Sequence, residues 1–281
     1  MKVLILQENG RHEANREFRE SQCLNRAFKS LGVESEVWGK GHDNFSSEPD
    51  YESYGLIVNL ENYDFSGWVP NLQKVQTKKF LWSIDAHLKG PQSDLDEADR
   101  GNYDLILQAV PQFASQRGSV FFPSCYDDSL LSPLDIEKSV DIGFCGNLIN
   151  RGGLIGAIAQ QHDIKQDIFV IGDAMVKAIN SYKIHFNANI SIDVNFRNFE
   201  TIGCGTCLLT SVHPAYDNLG FIDGKNCLIY DSIDSMLDKI NETLKDDEKR
   251  TRIAAEGLKL ARRHTFKERA KQVLALLQGA D

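Results

Sequence analysis

From Asp141 to Asp173 the chain reads DIGFCGNLINRGGLIGAIAQQHDIKQDIFVIGD. DIGFCGN (141–147) is a short apolar run of the kind buried in a sheet, the Gly-rich turn after it passes into helical spacing over 153–161, and DIFVIGD (167–173) predicts the next strand. Strand, loop, helix and strand in that order make a βαβ unit, whose strands must run parallel.

The alternation continues in both directions. Downstream come a helix over about 174–182, KIHFNAN (183–189), a helix beginning near Asn195, GTCLLTS (205–211) and NCLIY (226–230). A further helix follows, with Ile233, Met236, Leu237, Ile240 and Leu244 on one face. Upstream lie VLILQ (3–7), a helix carrying Leu24, Ala27, Phe28 and Leu31 that stops at Gly32, and the strand ESEVW. After a polar loop over 41–54, GLIVNL (55–60), KKFLWSID (78–85), YDLILQAV (103–110) and SVFFP (119–123) complete a first series. Runs this apolar suit strands covered on both faces. The polar, proline-broken stretch DDSLLSPLDIEKS (127–139) predicts a linker, with the boundary at residue 138. The expected architecture is α/β: two doubly wound, Rossmann-like domains over 1–138 and 139–265, facing each other across a cleft that holds the active site. A last helix over 266–281 bears the apolar stripe Phe266, Ala270, Val273, Leu274 and Leu277, after a capping-box spacing from Thr265 to Glu268.

Composition limits the function classes. The chain has 281 residues, too many for one hydrophobic core to be the default, and its net charge of -9 opposes nonspecific nucleic-acid binding. Residues 241–281 hold 10 Lys and Arg against 7 Asp and Glu, so the acidity is concentrated upstream. No window approaches a membrane span and the apolar run after Met1 is too short for a signal peptide, so a cytoplasmic protein is expected. The six cysteines (Cys23, Cys125, Cys145, Cys204, Cys207, Cys227) lie in apolar contexts and read as buried small hydrophobes. Cys204-x-x-Cys207 has no second pair to complete a metal site. Asp94-x-Asp96 sits in a polar stretch and reads as exposed linker.

Three segments carry chemistry. In DVNFRNFETIGCGTCLLTS (193–211), a helix opening with Asn195, Phe196 and Arg197 would offer free N–H groups and a guanidinium to an anion. Glu200, one turn after Arg197, suits a pair of ribose hydroxyls. By spacing alone, Arg197 and Glu200 also fit a plain ion pair on a helix surface. In GNLINRGG (146–153), Gly146 and Gly152 allow close approach to a pyrophosphate, with Asn147 as donor and Arg151 as counter-charge. In the first domain Asp85 and His87 close a strand, where Asp85 could take a hydroxyl proton and His87 could bind phosphate or sugar. Glu8, Arg11 and His12 after the first strand form a second candidate acceptor loop.

The block Asn195, Arg197, Phe199, Glu200, Gly205, Leu208, Leu209, Thr210 resembles the "N-x-R-x-F-E-x-x-x-x-G … LLT" segment of GT-B glycosyltransferases, more narrowly the spore-maturation (CgeB-like) family. DIGFCGNLINR is similar to that family's "D-I-x-F-x-G-N … R", and GKNCLIYDSIDSMLDKI to its "G-x-x-x-x-x-Y … D-x-x-x-L". The similarity covers 141 to about 270; upstream it is limited to strand rhythm and FLWSIDAH. It implies a nucleotide-diphosphate sugar donor held by Gly146, Asn147, Arg151, Asp193, Asn195, Arg197 and Glu200, with Asp85, His87 and Arg197 catalytic, no cofactor and no required metal. It also implies an acceptor hydroxyl on the first domain and a final helix returning to that domain. Retaining GT-B enzymes commonly pair two glutamates eight positions apart; here Ile192 stands eight before Glu200, with Asp193 beside it, and both anomeric outcomes stay open. A sugar-nucleotide epimerase, a phage-type DNA glucosyltransferase and a noncatalytic two-domain binding module are the alternatives.

Overall fold

The computed structural model describes residues 1–62, 66–189 and 192–279, Pro91 by its backbone alone. The strands are β1 (Lys2–Leu6), β2 (Glu34–Trp38), β3 (Leu56–Leu60), β4 (Lys79–Ser83), β5 (Leu105–Gln108), β6 (Ser119–Phe121), β7 (Val140–Gly146), β8 (Ile164–Ile168), β9 (Tyr182–Phe186), β10 (Cys207–Ser211) and β11 (Leu228–Tyr230). The helices are α1 (Glu20–Ser30), α2 (Ala86–Lys89), α3 (Pro91–Gly101), α4 (Gly152–Ala159), α5 (Gly172–Ser181), α6 (Phe196–Gly203), α7 (Tyr216–Leu219), α8 (Ile233–Lys245), α9 (Asp247–Ala261) and α10 (Phe266–Gln278).

The chain forms two compact units, Met1–Ser124 with Phe266–Asp281, and Cys125–Thr265. In the first unit the sheet order is β2-β1-β3-β4-β5-β6, every pair parallel. Both β3 and β4 are buried at all five positions, which is why they read as unbroken apolar runs. α10 lies against α1, and Phe266 meets Trp82 edge-on with ring centroids 6.0 Å apart. The second unit has the order β11-β10-β9-β7-β8, also all parallel. Its core gathers Ile142, Phe144, Ile184, Phe186, Leu209 and Ile240 between sheet and helices.

The partition falls at Ser124, not at residue 138. Residues 125–139 lack apolar periodicity, and hydrogen bonds hold them to the second unit. Tyr126 N donates to His264 O at 3.0 Å, Leu134 N to Asn180 Oδ1 at 2.8 Å, and Lys138 Nζ to Asn180 O, Tyr182 O and Thr206 Oγ1.

Two local readings also change. The strand expected over 167–173 runs instead over Ile164–Ile168, because β8 is an edge strand with exposed polar residues while the apolar FVI is a turn, with Phe169 at φ 56°. Asp94 is not exposed linker: it lies in α3, 4% exposed, accepting from Ser83 Oγ and Gln108 Nε2, each at 2.8 Å. Among the described residues no helix is long and apolar enough to cross a membrane.

Candidate functional site

In the second unit, β7 lies between β8 and β9. The chain leaves β7 to one side for β8 and returns on the other as β9, so the loops after β7 and β9 diverge and leave a crevice at their carboxyl ends. The residues from Gly146 to Arg151 follow β7, and those from Asn187 to Asn195 follow β9.

Arg151 bridges the two loops. Its side chain is buried, donating from Nε and Nη2 to Ala188 O at 3.1 and 3.0 Å and from Nη1 to Asn147 O at 3.2 Å. Its guanidinium carbon stands 5.9 Å from the centre of the Phe144 ring. These partners are all neutral, and among the described residues no carboxylate is within ion-pair distance. Burial lowers its pKa and the nearby Arg197 lowers it further, while Asp193 acts the other way. A buried cation beside a second cation, without a paired carboxylate, is an unbalanced positive site in a crevice. Asn147 Oδ1 accepts from Ile149 N at 3.1 Å and so shapes the loop, whose Gly152 has no atom within 4 Å of where a Cβ would stand.

α6 starts at the same crevice, with Asn195 as its extended N-cap. Asn195 acts through its amide: Oδ1 accepts from Asn187 Nδ2 at 3.1 Å and Nδ2 donates to Ala188 O at 3.4 Å, the oxygen that Arg151 also holds. Asn187 reaches Asn198 Oδ1 at 3.1 Å, Asn198 Nδ2 reaches Asn189 Oδ1 at 2.8 Å, and Thr210 Oγ1 donates to Asn198 Oδ1 at 2.9 Å. Beneath the helix, Cys145 N donates to His185 Nε2 at 3.3 Å, so His185 Nδ1 carries the proton toward Thr201 Oγ1 at 2.7 Å, and Thr201 donates to Arg197 O at 2.6 Å. His185 is wholly buried, which drives its pKa well below the usual imidazole range with Arg197 and Lys138 adding to the effect. This chain fixes α6 on the sheet. Arg197 and Glu200 form an ion pair, Nη1 to Oε2 at 2.7 Å, with side chains 19% and 17% exposed. Gly205, at φ +64°, makes the turn from α6 into β10.

Three further groups were not visible as a set in the sequence. Asp193 Oδ1 is buried with no hydrogen-bond partner among the described residues, while the buried His213 imidazole and Tyr230 hydroxyl are turned to the Ile192 backbone and to Ser211. They follow β9, follow β10 and end β11, so they lie at the carboxyl ends of successive strands. His213 Nδ1 accepts from Ala215 N at 3.1 Å, which leaves Nε2 as the donor; burial lowers the pKa of this imidazole. The buried Asp193 oxygen without a partner suits a polar ligand.

In the first unit, Asp85 and His87 stand at the carboxyl end of β4, both half-buried. Glu61, just after β3, organises this end: its Oε2 accepts from Ile84 N at 2.9 Å and Asp85 N at 2.6 Å, and its Oε1 pairs with Lys89 Nζ at 2.5 Å. Sequence reading missed Glu61 because one acid after an apolar strand has no distinguishing spacing. His87 Nδ1 is buried without a partner among the described residues. After β1, Glu8 is tied to Arg19 at 3.1 Å, while Arg11 and His12 are exposed. Asp85 and His87 thus form one set in the first unit, and Gly146, Asn147, Arg151, Asp193, Asn195, Arg197 and Glu200 another in the second. The six cysteines are free and buried, and among the described residues no group of three or more His, Cys, Asp or Glu is placed to hold a metal ion.

Residues 138–275 match the family described as glycosyl transferase-like. No curated protein matches the sequence. Among solved structures, sucrose-phosphate synthase from Thermosynechococcus elongatus is similar at TM-score 0.69 and 12% identity, covering 99% of this chain and 98% of its own. Anabaena Alr3699/HepE, solved with UDP and glucose, gives 0.66 at 14% identity, covering 99% and 100%. T4 phage BGT, solved with its UDP-glucose substrate, gives 0.67 at 10% identity, covering 100% and 99%. At such identities the likeness establishes the fold, that of GT-B glycosyltransferases with two Rossmann-like domains.

Proposed function

We propose that this chain, GT-B in fold and glycosyl transferase-like through its second unit, moves a sugar from a nucleotide-diphosphate donor to an acceptor hydroxyl without requiring a metal ion. The observation that carries the reading is Arg151: a buried guanidinium at the switch point of the second sheet, facing neutral carbonyls and electrostatically close to Arg197. A diphosphate supplies the counter-charge that Arg151 lacks, Arg197 being already paired with Glu200.

In this reading the donor lies on the second unit. Its diphosphate meets Arg151, Arg197 and the first N–H groups of α6, the loop from Gly146 to Asn147 approaches the phosphates, and Glu200 accepts the ribose hydroxyls. The acceptor lies on the first unit, where Asp85 takes the proton of the attacking hydroxyl and His87 contacts sugar or phosphate. The acceptor oxygen bonds to the anomeric carbon as the bond from that carbon to the phosphate oxygen breaks. The electron pair leaves with the nucleoside diphosphate, whose growing charge the two guanidiniums stabilise. In this reading Asp193, whose buried Oδ1 has no partner among the described residues, touches the donor's sugar or phosphates, with His213 near it. We extend the reading to the CgeB-like group on the motifs quoted above, and to the cytoplasm, which suits six free thiols.

The test is a thermal-shift and calorimetric screen against uridine, guanosine, adenosine and thymidine diphosphate sugars, followed by an assay for release of the nucleoside diphosphate. Stabilisation by one base, with slow donor hydrolysis, supports a transferase. Absence of binding to every donor defeats the reading, and binding without turnover by any acceptor or water makes the chain a binding module.

A further inference from the structure

The first unit contains a cavity of about 450 Å³ along α3, reaching from Glu61 and Asn62 at the carboxyl end of β3 to Gly101 and Tyr103 before β5. Glu61 lines it with Oε1 paired to Lys89, while its other oxygen receives the N–H of Asp85. The cavity therefore adjoins the residue proposed above to take the acceptor's proton. We infer that this cavity binds the acceptor, and that the acceptor is a small uncharged polyol of one or two sugar rings, not a nucleic acid; the inference rests on the transferase reading.

Its size falls in the range of roughly 300–1,000 Å³ that encloses a small organic ligand. Pro70 and the ring of Tyr103 supply an apolar wall, as the C–H face of a pyranose requires. Opposite in character is Glu97, a half-buried carboxylate lining the cavity with no hydrogen-bond or ion-pair partner among the described residues. Burial raises its pKa, against the opposing charges of Lys89 and Arg100. An unpaired carboxylate on a cavity wall can accept two hydrogen bonds, one from each hydroxyl on adjacent carbons of a sugar. Among the described residues lining it the charges balance: Glu61 and Glu97 against Lys89 and Arg100, with Lys89 already committed to Glu61. Such a lining offers no run of free cations to a phosphate backbone, on which nucleic-acid binding depends.

The experiment is saturation-transfer NMR of the full chain with glucose, galactose, mannose, maltose and lactose, alongside fluorescence anisotropy with a short DNA duplex. The same protein samples are titrated with UDP, GDP, ADP and dTDP by calorimetry. At least one sugar should receive saturation. Glu97→Gln should weaken its binding about tenfold, and Ser93→Phe, which fills the cavity from its lining, should abolish it. Both variants should bind the nucleotide as the wild type does. The inference is overturned by no transfer to any of these sugars, by transfer unchanged in both variants, or by duplex binding that the two variants remove. Loss of all nucleotide binding in the wild type defeats the transferase reading instead, and the two failures are thereby told apart.

Discussion

The guanidinium of Arg151 closes on one backbone oxygen, that of Ala188, through Nε at 3.1 Å and Nη2 at 3.0 Å. This contact joins the loop after β7 to the loop after β9 and holds a positive charge where the strand order reverses. A lysine would keep the charge but not the planar fork, leaving Ala188 O or Asn147 O without its donor. Arg151→Lys should therefore cost about 1–3 kcal/mol of stability in a denaturant melt, together with at least about a tenfold loss of donor affinity by calorimetry. A variant that binds the donor as the wild type does would remove Arg151 from the site.

Glu200 has one oxygen committed to Arg197. If its other oxygen reads the ribose, the wild type should prefer a nucleoside diphosphate over its 2′-deoxy form. In Glu200→Gln that preference should disappear, with a loss of roughly 1–3 kcal/mol for the ribonucleotide. Equal discrimination in both proteins would leave Glu200 as the helix-surface partner of Arg197 and nothing more.

How much of this was legible in the sequence depends on what each residue buries. β3 and β4 are covered on both faces, so their apolar runs predict them directly. β8, with its exposed edge, was displaced onto the neighbouring apolar turn. α3 reads as polar linker because what it buries is Asp94, satisfied by Ser83 and Gln108, and a buried polar network leaves no hydrophobic period. The same holds for Asn187, Asn189 and Asn198, whose amides meet only after the strands pair. Asn195 and Arg151 stood out through motif spacing, whereas Glu61, His213 and Tyr230 acquire meaning only from the ends of neighbouring strands.

The chemistry proposed for the diphosphate assigns its charge to Arg151, Arg197 and backbone N–H groups. Donor hydrolysis or transfer should then continue in excess EDTA, and Arg197→Ala should lower turnover by about 10²-fold or more, the scale of losing one charge-stabilising donor. Activity abolished by the chelator and restored by magnesium or manganese would overturn this account.

His185 makes a prediction about pH. It is neutral and buried, with its folded pKa held by burial well below the ordinary imidazole value of about 6.5. Below that value the unfolded chain takes up a proton that the native state does not, so stability is fully present above about pH 6.5 and falls as the pH drops. The slope from this one group is at most about 1.4 kcal/mol per pH unit. His42 and His213, also lowered by burial, act with the same sign. Urea melts from pH 7.5 to 5 should show this decline, and His185→Gln should flatten it while lowering stability at pH 7.5. An unaltered slope in the variant would mean that His185 is charged in the native state.

Arg269 is the residue through which α10 is fastened within the first unit. Only 2% exposed, it donates from Nε to Pro123 O at 2.8 Å and from Nη2 to Ser124 O at 3.3 Å, with its guanidinium 6.0 Å from the Phe122 ring. On the same helix Phe266, Ala270 and Val273 are buried, Phe266 against Trp82. The helix thus packs beside α1 and against Trp82 of β4, and supplies hydrogen-bond donors for the backbone at Pro123 and Ser124. Arg269→Ala strands two buried carbonyls and opens a void, which should cost about 2–4 kcal/mol in a denaturant melt. Arg269→Met fills most of the space without donating, so the difference between the two variants separates packing from hydrogen bonding. Ending the chain at Thr265 removes the apolar stripe as well, at about 1.5–3 kcal/mol for each large side chain lost, and should leave the first unit unfolded by circular dichroism. The donor residues all belong to the second unit, so Arg269→Ala should bind the nucleotide with unchanged affinity at temperatures where it remains folded. A chain ending at Thr265 that keeps its melting temperature would show that α10 contributes no stability.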